Sequence, residues 1–109
     1  MRIYHFSDQH GEFAELGYMR EAYGDPDIWV CSGDFMRNFS RGKVGEGNKQ
    51  LRQYGYDADK LRNIFREDLI LCVSGNHDFV PVDYGLRSIG LNAVVVNNDN
   101  VDCSRICVN

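Results

Sequence analysis

An α/β fold with a mainly parallel sheet and flanking helices follows from two features of the sequence. Short apolar runs alternate with stretches that carry apolar residues at helical spacing. The first three runs each close on a small polar cluster: Ser7-Asp8-Gln9-His10-Gly11, Ser32-Gly33-Asp34 and Ser74-Gly75-Asn76-His77-Asp78. In βαβ architectures ligands bind outside the carboxyl ends of the strands, so that is where such clusters are expected. The 109 residues fit one domain, taken as 1–109.

Ile3 to Phe6 reads as the first strand. Phe13, Leu16, Met19 and Ala22-Tyr23 recur at helical spacing, and Gly24 with Asp25-Pro26 stops that helix. Ile28 to Cys31 is the second strand. A Gly-rich loop, Arg41 to Asn48, leads to a helical face made of Leu51, Tyr54, Ala58, Leu61 and Phe65. Gly55 is a candidate break there, with Asp57 as a fresh N-cap. Leu69 to Val73 is the third strand, and a short helix around Tyr84 to Ile89 precedes an apolar run at Ala93 to Val96. Asn97 to Asn100 reads as a turn, with Val101 to Val108 as the return strand of a C-terminal β-hairpin.

Composition mainly excludes. Hydrophobic residues are 43% and charged residues 26%, as in ordinary globular proteins. No apolar run approaches the ~18 residues of a membrane span, so no membrane partner is expected. The start reaches Asp8 too soon for a signal peptide, which predicts a cytoplasmic protein. In that compartment Cys31, Cys72, Cys103 and Cys107 read as reduced thiols. A net charge of −4 argues against nonspecific nucleic-acid binding. Residues 37–66 nevertheless hold eight of the twelve Lys and Arg against Glu46, Asp57 and Asp59.

The chemistry lies in the three clusters. If the strands are neighbours, Asp8, His10, Asp34 and Asn76 converge. Carboxylates, an imidazole and an amide oxygen are ligands for hard to borderline divalent cations. Asp8 and His10 are two apart, so on an extended segment they point the same way. Taken singly, each residue has a plainer reading. Asp34 can be a turn residue, His10 a surface histidine, and Asn76-His77-Asp78 a strand-to-helix turn. Their joint occurrence in order favours a metal site.

Asp-x-His, then Gly-Asp, then Gly-Asn-His-Asp, each closing a strand, resembles the calcineurin-like metallophosphoesterases. The resemblance implies a truncated metallophosphoesterase-like α/β sandwich. It implies a two-metal centre that polarises a phosphate ester, activates a water and clamps both oxygens of an in-line displacement. By resemblance Asp8 and His10 hold the first metal, Asp34 bridges and Asn76 holds the second. His77 is the catalytic histidine, protonating the leaving oxygen or steadying the phosphate, with Asp78 as its neighbour. The implied cofactor is a divalent ion, manganese first, with iron, zinc or nickel as the others.

The likeness runs from Met1 to about residue 108. The family's second half supplies another metal-binding histidine and a Gly-His-x-His motif, whereas no histidine follows His77 here. The expected result is a half-site holding one ion per chain rather than two, and a sheet face left uncovered. Completion by a homo-oligomer or a partner protein on that face is the corresponding expectation. The alternative is a catalytically inactive, shortened phosphoesterase that serves as a protein-interaction module.

The substrate is expected to be an anionic phosphoester, with phosphodiesters, nucleotides and nucleic acid as candidate classes. Arg37 and Arg41 lie between the second and third motifs and are the candidate substrate-binding residues. Lys43, Lys49 and Arg52 extend the basic stretch, and Tyr54 and Tyr56 are candidates for base stacking, although Tyr54 also falls on the core-facing helical stripe. The family's protein-phosphatase branch carries Asp-Arg-Gly shortly after Gly-Asp. Gly33-Asp34-Phe35-Met36-Arg37-Asn38 lacks that aspartate, which speaks against a Ser/Thr protein phosphatase. Gly42-Lys43 lacks the surroundings of a P-loop. His5, inside the first strand, reads as structural with a satisfied ring nitrogen.

Overall fold

The computed structural model describes residues 1–39, 45–75 and 78–96. Four short strands form one all-parallel sheet: β1 (Ile3–Phe6), β2 (Ile28–Cys31), β3 (Leu69–Cys72) and β4 (Ala93–Val95). They lie in the order β1-β2-β3-β4. The helices between them are α1 (Ala14–Tyr23), α2 (Glu46–Tyr56), α3 (Ala58–Phe65) and α4 (Val82–Ser88). The α/β class with a parallel sheet is therefore observed. The C-terminal hairpin over Val101 to Val108, together with Cys103 and Cys107, lies outside the described residues.

Register sorts the strand residues into two faces. Tyr4, Trp29, Ile70 and Ala93 stand abreast, and so do Phe6, Cys31 and Cys72. All seven join Leu16, Tyr54, Leu61, Ile64, Phe65 and Leu86 of the helices in one core. Trp29 is its centre, with Tyr4 and Phe65 packed edge-on at 5.2 and 5.0 Å between ring centroids. The opposite face carries Ile3, Ile28 and Leu69 in one row and His5, Val30, Leu71 and Val94 in the next. None of these belongs to the helix-side core. The face that the sequence predicts to be uncovered ranges from exposed at Ile3 and His5 through half-buried at Val30, Leu69 and Val94 to buried. Ile3 is 54% exposed, while Ile28 and Leu71 are buried.

At the amino-terminal ends of β2 and β3 a polar knot closes the helix layer. The buried Arg20 donates to the Ile64 carbonyl at 2.9 Å and to Asp25 at 2.7 Å. It also pairs with Asp68, which accepts the Trp29 indole N–H at 2.9 Å. Every guanidinium contact is thereby matched, which a buried charge requires. The opposite, carboxyl end of the sheet is left for the three polar clusters.

Gly24 ends α1 as expected, with φ 88° and its N–H on the Arg20 carbonyl at 2.9 Å. The α2–α3 break falls at Asp57 rather than Gly55. Asp57 occupies the cap position, but its side chain does not cap the helix and accepts from Gln53 instead. Among the described residues no helix is long and apolar enough to cross a membrane.

Candidate metal centre

The site is built from loops that prolong the sheet ladder past its last strand residues. Ser32 N–H donates to the Phe6 carbonyl at 3.0 Å, and Val73 N–H to Cys31 at 2.8 Å. Beyond them, Asp8 N–H donates to Gly33 at 3.0 Å, His10 N–H to Asp34 at 3.0 Å, and Gly11 N–H to Phe35 at 2.9 Å. The β1 loop is thus laced residue by residue onto the β2 loop.

This lacing holds three side chains together. Asp8, His10 and Asp34 each offer one ligand atom within 4.8 Å of the other two, and the His10 Nε2 to Asp8 Oδ1 distance is 4.0 Å. Donors around one ion at about 2.1 Å stand roughly 3–4 Å apart, so the three atoms lie near, though not at, the spacing of a common ion. Hard carboxylate oxygens beside a borderline imidazole suit a divalent transition metal, so the donor set fits the implied cofactor.

Backbone strain collects at the same place. The non-glycine residues with positive φ among those described are Asp8 (58°), His10 (47°), Asp34 (53°) and Arg66 (53°). Three of the four are the converging residues, although such a conformation costs an L-residue about 1–2 kcal/mol. Asp and His tolerate it better than most, but its concentration on one cluster is the usual mark of a functional site.

Two glycines let the second and third loops touch. A Cβ on Gly33 (φ 113°) would stand 2.5 Å from the Gly75 nitrogen. One on Gly75 would stand 2.4 Å from Asp34 Oδ1. Asp78 then bridges the two loops. Its carboxylate accepts N–H groups from Asp34 at 2.6 Å, Gly75 at 2.7 Å and Phe35 at 3.0 Å.

The remaining sequence-selected residues are placed as follows. Arg37 is exposed, and its Cβ lies 3.0 Å from where a Cβ on Gly11 would be, so it flanks the Asp8–Gly11 loop. Its guanidinium sits 5.8 Å from the centre of the Phe39 ring. Asn76, His77 and Arg41 lie outside the described residues. His5 Nε2 is hydrogen-bonded to the Ser32 hydroxyl, in keeping with its structural reading. Base stacking by Tyr54 is ruled out: the ring is fully buried, 6.1 Å from that of Phe35, and fills the space at Gly85. Tyr56 is exposed.

Burial sets the electrostatics beneath the site. The Cys31 thiol, next to Ser32-Gly33-Asp34, is pushed up to about 12, chiefly by burial, with the Asp78 and Asp34 carboxylates acting in the same direction. Burial also raises Cys72 and Tyr54. Both described cysteines are free thiols. At neutral pH they are uncharged packing groups rather than metal ligands.

Sequence reasoning missed the polar residues that support the loops. Glu46 and Gln50 are buried on α2. Glu46 accepts the Phe39 N–H through both oxygens, at 3.0 and 2.9 Å. Gln50 accepts from Phe79 at 2.9 Å and Val80 at 3.2 Å, and donates to the Arg37 carbonyl at 3.3 Å. The available signal was spacing. Residues 46, 50 and 54 repeat every four positions, so the core stripe ending at Tyr54 extends back through both.

A family model, that of the calcineurin-like phosphoesterases, matches residues 1–107. The chain belongs to this family. No curated protein and no solved structure matches it. Calcineurin-like phosphoesterases are metal-dependent phosphoester hydrolases at the family level. Among the described residues, the Asp8-x-His10 motif and Asp34 form a group able to hold a metal ion.

Proposed function

We propose that this calcineurin-like chain hydrolyses a phosphodiester or nucleotide at a centre held by Asp8, His10, Asp34 and Asn76. The observation that carries the reading is the convergence of Asp8, His10 and Asp34 within 4.8 Å, with all three in left-handed backbone. A divalent ion there, manganese first, supplies Lewis-acid polarisation of the phosphate and an acidified water.

The chain's own groups do the rest. Asp8 and His10 would hold the ion from the β1 loop, and Asp34 would reach in from the β2 loop with its carboxylate. Arg37 and Arg41 attract and orient the anionic ester. His77 donates the proton that the leaving oxygen needs, or steadies the phosphate. The assignments of Asn76, His77 and Arg41 rest on the Gly75-Asn76-His77-Asp78 motif and on position in the sequence.

The finer part of the reading is one ion per chain, with the remaining donors coming from a second copy or a partner protein. Its support is the donor count: three side chains and one amide oxygen hold one ion with waters but serve a second poorly.

The test is Mn²⁺-dependent cleavage of bis(4-nitrophenyl) phosphate, with calorimetric Mn²⁺ titration and mass determination on the same sample. Turnover should vanish in His77→Ala and Asp34→Asn. Mn²⁺ affinity should fall at least tenfold in Asp34→Asn and His10→Ala, with little change in melting temperature for these partly exposed positions. Full turnover in both His77→Ala and Asp34→Asn overturns the reading. No turnover with manganese, iron, zinc or nickel, alongside tight protein association, replaces it with the interaction-module reading. Two ions bound to a monomer refute completion in trans.

A further inference from the structure

We propose that Asp78 is a positioning residue that sets the pose of Asp8, His10 and Asp34 through the backbone. The inference rests on the reading of those three residues as metal ligands.

The carboxylate of Asp78 uses both oxygens on main-chain donors from two different loops. Oδ2 takes the Asp34 N–H at 2.6 Å and the Gly75 N–H at 2.7 Å, and Oδ1 takes the Phe35 N–H at 3.0 Å. The consecutive amides of Asp34 and Phe35 both reach this one carboxylate, in a loop where Gly33 has φ 113° and Asp34 φ 53°. Successive N–H groups turned this way form a concave anion cradle. In this chain the anion in the cradle is the protein's own carboxylate, so the cradle is an internal fastening rather than a phosphate site. A charged acceptor on three N–H groups is also among the stronger hydrogen-bond arrangements a loop can have.

The fastening reaches all three ligand residues. Asp78 fixes Asp34 and Phe35 directly. The carbonyls of Gly33, Asp34 and Phe35 in turn accept the N–H groups of Asp8, His10 and Gly11, at 3.0, 3.0 and 2.9 Å. One carboxylate therefore stands at the root of a hydrogen-bonded chain running from the β3 loop through the β2 loop to the β1 loop. Released from it, the strained φ of Asp34 relaxes, and the carbonyls that register Asp8 and His10 move with it.

The experiment uses Asp78→Asn, which keeps the size and one acceptor oxygen, and Asp78→Ala. Hydrogen exchange of individual amides is followed by NMR in the metal-free protein. In the wild type the Asp34, Phe35 and Gly75 amides should exchange slowly and resonate downfield. In Asp78→Asn they should exchange at least tenfold faster, with the Trp29 and Ile70 amides still protected as evidence of an intact sheet. Fast exchange of the three amides in the wild type overturns the proposal without any substitution. Unchanged exchange in either variant also overturns it, and both results hold whether or not metal binds. A calorimetric Mn²⁺ titration then tests the link to the site. At least tenfold weaker binding in Asp78→Asn is expected. Unchanged affinity with lost turnover makes Asp78 a partner of His77 and overturns the backbone role. If the wild type itself takes no Mn²⁺, the proposed function fails, while the exchange data still decide the fastening.

Discussion

Gly33 and Gly75 meet backbone to backbone at the carboxyl ends of β2 and β3, where a Cβ on Gly33 would come within 2.5 Å of the Gly75 nitrogen. The contact brings the loop carrying Asp34 against the loop that continues into Gly75-Asn76-His77-Asp78. It also leaves Asp34 Oδ1 directly over Gly75.

Gly33→Ala therefore meets two obstacles, a φ of 113° and a clash with main chain that cannot swing aside. A loss of at least about 2 kcal/mol is expected. Urea unfolding measures it, and a midpoint equal to that of the wild type contradicts the contact. Gly55→Ala is the control, since nothing lies within 4 Å of a Cβ there.

Gln50 predicts a second dependence of the loops on the helix layer. Gln50→Leu keeps the volume but leaves the Phe79 and Val80 N–H groups without their acceptor. Destabilisation of about 1–3 kcal/mol per unpaired group is expected. Gln50→Glu keeps the acceptor and loses the donor to the Arg37 carbonyl. It should be milder than Gln50→Leu at a pH that keeps the new carboxyl protonated, and equal losses in the two variants contradict the assigned hydrogen bonds.

The buried thiol gives a pH dependence with a definite sign. Cys31 is raised from 9.0 to about 12 in the folded chain. Below pH 9 both states keep the proton and its contribution is fully present. Above pH 9 the unfolded chain releases the proton first, so stability falls as pH rises towards 12. Cys72 and Tyr54 act in the same direction. Denaturation midpoints between pH 8 and 11 should decline, and Cys31→Ala should decline less steeply from its lower starting stability. Parallel slopes for the two proteins contradict the burial of this thiol.

Tyr54 carries a buried hydroxyl with no hydrogen-bond partner among the described residues. Tyr54→Phe is expected to be neutral or to stabilise by about 1 kcal/mol, because an unsatisfied polar atom is removed and the ring remains. Gly85→Ala is expected to cost about 1–3 kcal/mol, since its Cβ would stand 2.4 Å from that ring. Thermal melts of the two variants moving in opposite directions are the check. A clear loss in Tyr54→Phe means that the hydroxyl is satisfied after all.

The sequence alone determined the four described strands and three of the residues expected to converge, Asp8, His10 and Asp34. Strands such as Ile28–Cys31 are short apolar runs between turn-forming clusters, a pattern that local chemistry dictates. Asp8, His10 and Asp34 were legible because their residue types recur at successive strand ends, and parallel order brings such ends together. The α2–α3 break was legible in the N-cap position of Asp57, while Gly55 itself stays inside α2. The cradle around Asp78 was not legible, and Glu46 and Gln50 were signalled only by their four-residue spacing from Tyr54. In the sequence they look like solvent-facing polar residues of a helix and a turn. Only the tertiary structure brings backbone N–H groups from distant loops to them, because those groups lose water on burial and must find acceptors. The sequence thus determined which side chains could bind a metal, and the tertiary structure decided how their backbones are held in place to do so.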